Sequence, residues 1–183
     1  PLRTERLVDA FRLTIPEIAL VGVACLLFVV GLLSRNRWIH WAGALTGLLL
    51  AAGLAIWTHP TDVMNWNVDS MAAASMPILP GPLATFMRYL VIGVGFLYLL
   101  LCTKELRTSE SAEYLACLLI VLCGTSLVAR ANDLISLYLA LEMISIPTYL
   151  LLFLPSQTKS ALESLTKYFL LSALSSAVLL FGF

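Results

Sequence analysis

The chain has 183 residues, of which 60% are hydrophobic and only 12% are charged, and its 11 basic and 11 acidic side chains cancel. A soluble globular domain carries about 25% charged residues, so this composition argues against an ordinary soluble enzyme. It also excludes a disordered chain and a coiled coil, and the lack of a basic excess excludes a nucleic-acid-binding domain.

Six apolar stretches predict six membrane-crossing helices. In chain order they are expected at about residues 15–33, 38–57, 83–103, 113–130, 133–154 and 161–183. A helix needs about 20 apolar residues to cross a hydrocarbon core of about 30 Å. Each segment must also satisfy its own backbone polar groups in lipid, which favours helices over strands. The predicted fold class is therefore all-α, a polytopic membrane protein. Because the chain does not begin with Met and ends within an apolar stretch, it is expected to be part of a longer protein.

The connections between the helices indicate an orientation. Residues 58–82 contain four prolines and no lysine or arginine, which predicts an extended extracytoplasmic loop. The basic residues of 34–37 and 104–107, together with Lys159, lie on the opposite side if all six helices cross. The positive-inside rule places that side in the cytoplasm, although three arginines in the N-terminal segment count the other way.

Several polar or reactive side chains are expected to be structural. His40 and His59 lie near the two ends of helix 2 and are interpreted as interfacial residues. In the same helix, Gly43, Gly47 and Ala51 have the small-xxx-small spacing that favours close helix packing. The cysteines lack C-x-x-C spacing, so buried free thiols are expected rather than metal or iron–sulfur ligands, at Cys25, Cys102, Cys117 and Cys123.

Two charges lie within the predicted spans, where a charged group costs about 2.5–3.5 kcal/mol on insertion scales. Glu142 follows Asp133 by nine residues, which places it about 13 Å along helix 5 and near the membrane centre. Lys167 follows Ala161 by six residues, about 9 Å in from the other face. Side chains lean towards the N-terminus of their own helix, so in antiparallel helices the two groups lean apart. A relation through water is therefore expected, and a direct salt bridge is not.

Polar side chains accompany both charges. Tyr138, Ser145 and Tyr149 share one face of helix 5 with Glu142, and Pro147 is expected to kink or loosen that helix. On helix 6, a polar face contains Lys167 together with Ser160, Ser164, Tyr168 and Ser175. Glu163 lies one turn before Lys167 and is positioned to guide protons to it. This pattern favours a proton relay, and the alternative is that the two charges only hold helices together. The remaining charged candidates lie at or near helix ends and are expected to be interfacial: Glu17, Arg88, Glu113, Asp133 and Glu163.

Two segments carry a resemblance to a known family. Residues 133–150, DLISLYLALEMISIPTYL, resemble helix 5 of the subunit N family of NADH:quinone oxidoreductase, respiratory complex I. Residues 160–182, SALESLTKYFLLSALSSAVLLFG, resemble helix 6 of the same family. Helices 1 to 4 match in topology and general character, with Pro16, Glu17 and Ile18 as a weaker similarity.

The resemblance implies a fold and a function. The chain would be the N-terminal part of an antiporter-like fold of about 14 helices, in a multi-pass protein of the bacterial inner membrane. Glu142 and Lys167 match the family's helix-5 glutamate and helix-6 lysine, which are thought to carry protons. No cofactor would bind this chain; NADH, FMN, iron–sulfur clusters and quinone would belong to other subunits of the complex. Its partners would be the other membrane subunits, the lipid bilayer, protons and water.

Other functions remain compatible with the sequence. The related subunits L and M and the multisubunit cation/proton antiporters share the glutamate, although the residues after Glu142 (ISIPTY, 144–149) favour subunit N. A membrane-bound hydrogenase subunit is a further alternative of the same kind. A membrane anchor that transports nothing is an alternative of a different class.

Overall fold

In a computed structural model of the chain, the described residues are 2–34, 36–58, 78, 81–102, 110–155 and 158–183, with residues 2–13 described by their backbone alone. This part of the chain forms six helices that are long and apolar enough to cross a membrane. The prediction of an all-α membrane fold with six spans is confirmed. The helices are α1 (Leu2–Leu33), α2 (Arg37–Trp57), α3 (Pro82–Cys102), α4 (Ser111–Val128), α5 (Leu134–Phe153) and α6 (Lys159–Gly182).

Helix α1 is longer than the sequence predicted. It begins at Leu2, whereas the apolar pattern placed its start near residue 15, and its membrane-spanning part is Thr14–Leu33. The added segment is charged but contains neither glycine nor proline, and its Leu, Arg, Glu and Ala residues favour helix. Counting apolar residues finds the part of a helix that lipid can cover, and it does not find a polar extension of that helix.

Three helices start at side-chain caps. The Asn36 side chain accepts a hydrogen bond from the Trp38 amide at the start of α2. Asp133 and Thr158 cap α5 and α6 in the same way, accepting from the amides of Ser136 and Ala161. Such caps satisfy amides that have no partner within the helix. The Thr158 cap explains why α6 begins two residues before the predicted start.

Helix α4 lies at the centre of the packing. It contacts α1, α2, α3 and α5, and most of its residues are buried. Its Leu119 belongs to the apolar core, together with residues of the neighbouring helices such as Leu20, Leu48 and Leu99. Helix α5 packs on α4, and α6 packs on α5 and has no buried residue. Glu142 and Lys167 therefore belong to the two outer helices of the described bundle.

The small residues of α2 lie where α1 comes closest. A Cβ atom added at Gly47 would lie 2.5 Å from Val23 Cγ1, and one added at Gly43 would lie 2.8 Å from Leu27 Cδ2. Real Cβ atoms do not approach other atoms so closely. The close packing predicted from the small-xxx-small spacing is confirmed.

His40 lies near the start of α2, as expected, but its ring is buried between helices and is not exposed at the interface. The end of α1 and the start of α4 cover it. Its Nδ1 shares a hydrogen bond of 2.8 Å with the Ser111 hydroxyl, and its Nε2 lies 2.9 Å from the Ser34 carbonyl oxygen. His40 thus ties three elements together. His59 lies outside the described residues.

The cysteine prediction holds for part of the set. Cys117 and Cys123 are buried free thiols, whereas Cys102 is partly covered and Cys25 is exposed. Cys25 faces away from the bundle because α1 presents its neighbours Ala24 and Leu27 to the core.

The loop predicted at residues 58–82 falls largely outside the described residues. Within it, the backbone of Ile78 forms an isolated antiparallel bridge with Ala131, in the turn between α4 and α5. Ile78 therefore lies next to that turn. Its placement outside the cytoplasm stays a prediction.

Candidate proton-translocation site

Glu142 lies in the middle of α5. It follows Leu134, the first residue of the helix, by eight positions, which is about 12 Å along the axis. Its side chain is half-buried, and no hydrogen bond or ion pair joins it to another residue that the structure describes. The carboxyl group is therefore available for a water molecule or for a proton.

The two sides of α5 have different surroundings. On one side, Ala140 and Ile144 face α4, because a Cβ atom added at Gly124 would lie 3.1 Å from the Ala140 carbonyl oxygen and 2.9 Å from Ile144 Cγ1. Glu142 is two residues from each, which is about half a turn around the helix. It therefore lies on the side away from α4. Tyr149, seven residues later, shares that side.

Tyr149 connects the Glu142 face of α5 to α6. Its ring meets the rings of Tyr168 and Phe169 edge to face, with centroids 5.6 Å and 5.3 Å away. Such aromatic pairs contribute about 0.5–1.5 kcal/mol beyond the area they bury. The structure thus brings together one predicted residue of each helix, Tyr149 and Tyr168.

The other predicted residues of α5, Tyr138, Ser145 and Pro147, form no recorded hydrogen bond or ring contact with another described helix. Ser145 donates its hydroxyl to the Leu141 carbonyl, 3.0 Å away, and Tyr138 is half-buried. Pro147 is buried inside α5, and the helix continues through it from Leu134 to Phe153. One residue later the Thr148 hydroxyl donates to the Ile144 carbonyl, 2.6 Å away. A kink at Pro147 stays a prediction.

Lys167 lies beside Glu163 rather than beside Glu142. Its Nζ is 2.6 Å from Glu163 Oε1, one helical turn away, and the side chains are 70% and 68% exposed. Since α6 starts at Lys159, Lys167 lies about 12 Å along its helix. Ser164 is also exposed on α6. A relation through water between Lys167 and Glu142 stays a prediction.

A second group of charges is buried, and the sequence analysis had assigned two of its members, Glu17 and Arg88, to the interface. Glu17 accepts two hydrogen bonds of 3.0 Å from Arg88 Nε and Nη2, and Arg130 Nη1 lies 3.2 Å from its Oε1. The Ser126 hydroxyl donates to the same oxygen at 2.8 Å. Glu17, Arg88 and Arg130 are 3%, 7% and 4% exposed, so Glu17 and Arg88 lie near the ends of their spans, as expected, but are enclosed by the bundle and not exposed at the interface.

This Glu17 cluster forms because the helices alternate in direction. The start of the membrane-spanning part of α1, the start of α3 and the end of α4 all lie at one end of the bundle. Opposite charges can be buried together there, whereas a single charge would be costly. A cavity of about 10 Å³ lies beside Glu17 and Arg88, and it has room for about one water molecule. The sequence could have predicted this cluster, because Glu17, Arg88 and Arg130 each lie near a helix end on the same side of the membrane.

The remaining acidic candidates differ from one another. Glu113 is half-buried, and its Oε2 is enclosed without a hydrogen-bond partner among the described residues. Asp133 is exposed at the start of α5, as expected of an interfacial residue. Hydrogen bonds from the side chain and the amide of Ser136 lower the pKa of Asp133. No group of three or more His, Cys, Asp or Glu side chains in the described part of the chain is arranged to hold a metal ion.

The region that contains Glu142 and Lys167 matches a family model. Residues 131–183 match the family described as NADH:quinone oxidoreductase/Mrp antiporter, TM.

Similarity to curated proteins extends over nearly the whole chain. NADH-quinone oxidoreductase subunit N 2 of Thermodesulfovibrio yellowstonii is 32% identical over 170 residues, which are 93% of this chain and 36% of that protein. Subunit N 1 of Solibacter usitatus is 33% identical over 178 residues, 95% of this chain and 35% of the relative. Subunit N of Desulforamulus reducens is 34% identical over 176 residues, with 94% and 35% covered.

The chain spans about a third of the length of these relatives. Its six apolar helices make it a multi-pass membrane protein. The resemblance found at Glu142 and Lys167 now extends through α1 to α6. Over nearly its whole length the chain is therefore similar to about a third of subunit N of NADH-quinone oxidoreductase.

Proposed function

We propose that this chain is part of a membrane subunit of a bacterial proton-pumping NADH:quinone oxidoreductase, in the cell inner membrane. Electrons pass from NADH to quinone in other subunits, which hold the flavin and the iron–sulfur clusters. The chain itself takes part in moving protons across the membrane. Its partners are the other membrane subunits of the complex, the lipid and the transported protons.

The observation that carries this proposal is the placement of Glu142. A carboxyl group in the middle of a membrane helix costs free energy, and here no described side chain compensates it. This contrasts with Glu17, whose carboxylate is bonded to two arginines. Glu17 is therefore suited to a fixed structural charge, whereas Glu142 is suited to gaining and losing a proton.

Lys167 is the second group of the proposed path. Its ion pair with Glu163 is uncovered by this chain, so the pair is accessible to other helices or to water. The ring contacts of Tyr149 with α6 connect the helix that carries Glu142 to the helix that carries Lys167. We infer that Glu163 passes protons to Lys167 and that Tyr138, Ser145, Ser164 and Tyr168 support water between the two helices.

A cation/proton antiporter, or a related subunit of a hydrogenase complex, is the second candidate function. The family that matches residues 131–183 is described by both the NADH:quinone oxidoreductase and the Mrp antiporter, and that segment contains both Glu142 and Lys167. The names of the relatives favour the oxidoreductase. An antiporter would exchange cations for protons without NADH or quinone.

The test is Glu142→Gln in the intact protein, assembled in its complex and reconstituted in vesicles. We expect the complex to assemble and NADH-driven proton uptake to fall by at least about tenfold, since a proton-transfer group has been removed. Asp133→Asn is the matched control. It also converts an acid to its amide, at the N-cap of the helix that contains Glu142, and asparagine is itself a good N-cap residue.

Other outcomes assign the alternatives. Wild-type pumping by the Glu142→Gln complex would contradict the proposal and support an anchoring role. Sodium or potassium exchange for protons by the purified protein alone, lost in Glu142→Gln, would support the antiporter.

A further inference from the structure

The contact between α4 and α5 at Gly124 has a geometry that bears on Glu142. Gly124 is buried, and a Cβ atom added to it would lie 2.9 Å from Ile144 Cγ1, 3.1 Å from the Ala140 carbonyl oxygen and 3.2 Å from the Ile144 amide nitrogen. Two of these three atoms belong to the main chain of α5. A side chain can rotate away from a new methyl group, but a helical main chain can only move as a unit. Any side chain at position 124 would therefore shift α5.

Hydrogen bonds to α1 hold α4 in place, so that it resists moving away from α5. Cys123, next to Gly124, donates through its thiol to the Glu17 carbonyl oxygen, and the Ser126 hydroxyl donates to the Glu17 carboxylate. Glu17 is in turn bonded to Arg88 of α3. An added methyl group at position 124 is therefore expected to displace α5 and not α4.

The displaced part of α5 is the turn that carries Glu142. Ala140 and Ile144 lie two residues before and two residues after it, and the rigid helix transmits their movement to its carboxyl group. We propose that Gly124 is a positioning residue for Glu142, whose missing side chain lets α5 lie close enough to α4 to place the carboxyl group. This inference rests on the proposed function of Glu142.

The experiment compares three glycine-to-alanine variants in the intact protein within its complex. Gly124→Ala places the new methyl group against the α5 main chain. Gly47→Ala creates a closer clash, 2.5 Å from Val23 Cγ1, between α1 and α2 and away from Glu142. Gly93→Ala, in α3, meets no atom within 4 Å and controls for the substitution itself. The measurements are assembly, NADH-driven proton uptake and the infrared carboxyl band that disappears in Glu142→Gln.

We expect Gly124→Ala to displace the Glu142 band and to lower proton uptake by at least about threefold, because small misplacements of a reacting group are costly. Gly47→Ala is expected to weaken assembly while the band keeps its position, and Gly93→Ala to behave as wild type. Adding Ile144→Ala to Gly124→Ala removes one of the three contacts, so the band should return part of the way. The double variant also replaces the single one if Gly124→Ala does not assemble.

A wild-type band position and wild-type proton uptake in the assembled Gly124→Ala complex, or in the double variant where that one is needed, would overturn the inference. An equal displacement of the band in Gly47→Ala would do so as well, because it would show a general loosening of the bundle. If Gly124→Ala displaces the band while Glu142→Gln pumps normally, the positioning stands and the proposed function fails.

Discussion

Glu17 and Arg88 lie 71 residues apart in the sequence, and they form a bidentate ion pair inside the helix bundle, with both hydrogen bonds 3.0 Å long. Arg130, at the end of α4, shares the carboxylate. The pair joins the start of the membrane-spanning part of α1 to the start of α3, and Arg130 connects both to α4 at the centre of the packing. Because desolvation offsets much of the attraction in such a pair, its main effect appears when one partner is removed.

Replacing Glu17 with glutamine is expected to destabilise the protein by about 3–5 kcal/mol, since it leaves buried guanidinium groups without their carboxylate. The measurement is the thermal unfolding midpoint of the solubilised protein. Glu163→Gln is the control, because the pair of Glu163 with Lys167 is uncovered by this chain and is worth about 0–1 kcal/mol. An equal drop of the unfolding midpoint in the two variants would show that the Glu17 cluster stabilises the protein no more than an exposed ion pair does.

The N-cap of α5 predicts a dependence on acid pH. Bonds from Ser136 stabilise the ionised form of Asp133 and lower its pKa in the folded protein. A lowered folded pKa means that this stabilisation is fully present above the unfolded value of about 3.9 and is lost as the pH falls through the folded value. The Ser136 amide should therefore exchange its hydrogen faster as the pH is lowered below about 4, after correction for intrinsic exchange.

Two substitutions at position 133 separate the charge from the cap. Asp133→Ala should cost about 1 kcal/mol at neutral pH and remove the acid dependence. Asp133→Asn keeps a good cap that does not titrate, so it should remove the acid dependence and cost much less. If the asparagine variant retained the acid dependence, another group would be responsible for it.

The aromatic contact between α5 and α6 separates two roles of Tyr149. Tyr149→Phe retains both ring contacts, so α6 should stay docked on α5. Tyr149→Leu loses them and should weaken the docking by about 1–3 kcal/mol. A disulfide-trapping assay between cysteines introduced into α5 and α6 measures the docking. Lower proton uptake in Tyr149→Phe with unchanged docking would assign the hydroxyl to the proton path, and equal docking in the leucine variant would contradict the structural role.

The six helices follow from the sequence because lipid imposes a minimum length of apolar chain. The polar face around Glu142 was predictable in the same way, since residues of one helix have a fixed angular relation. The polar start of α1 was not, because nothing about membrane burial distinguishes a helical extension from a loop. The burial of residues near helix ends was also missed where another helix covers them, as for His40.

Contacts between distant segments account for the rest. The partners of Glu17 are Arg88, Ser126 and Arg130, and only the packing of α1, α3 and α4 brings them together. The role of Gly124 depends on how closely α4 and α5 approach each other and at which residues, and the spacing of apolar residues in the sequence does not determine either. The ion pair of Lys167 with Glu163, by contrast, lies within one helix, so the four-residue spacing in the sequence is enough to predict it.

Infrared difference spectroscopy of the assembled complex during turnover tests most directly whether Glu142 carries protons. A carboxyl band that is absent in Glu142→Gln should change in intensity as NADH is oxidised and quinone is reduced. The same band, unchanged between the resting and working complex at every accessible pH, would show a Glu142 fixed in one protonation state and would contradict its role in the proton path.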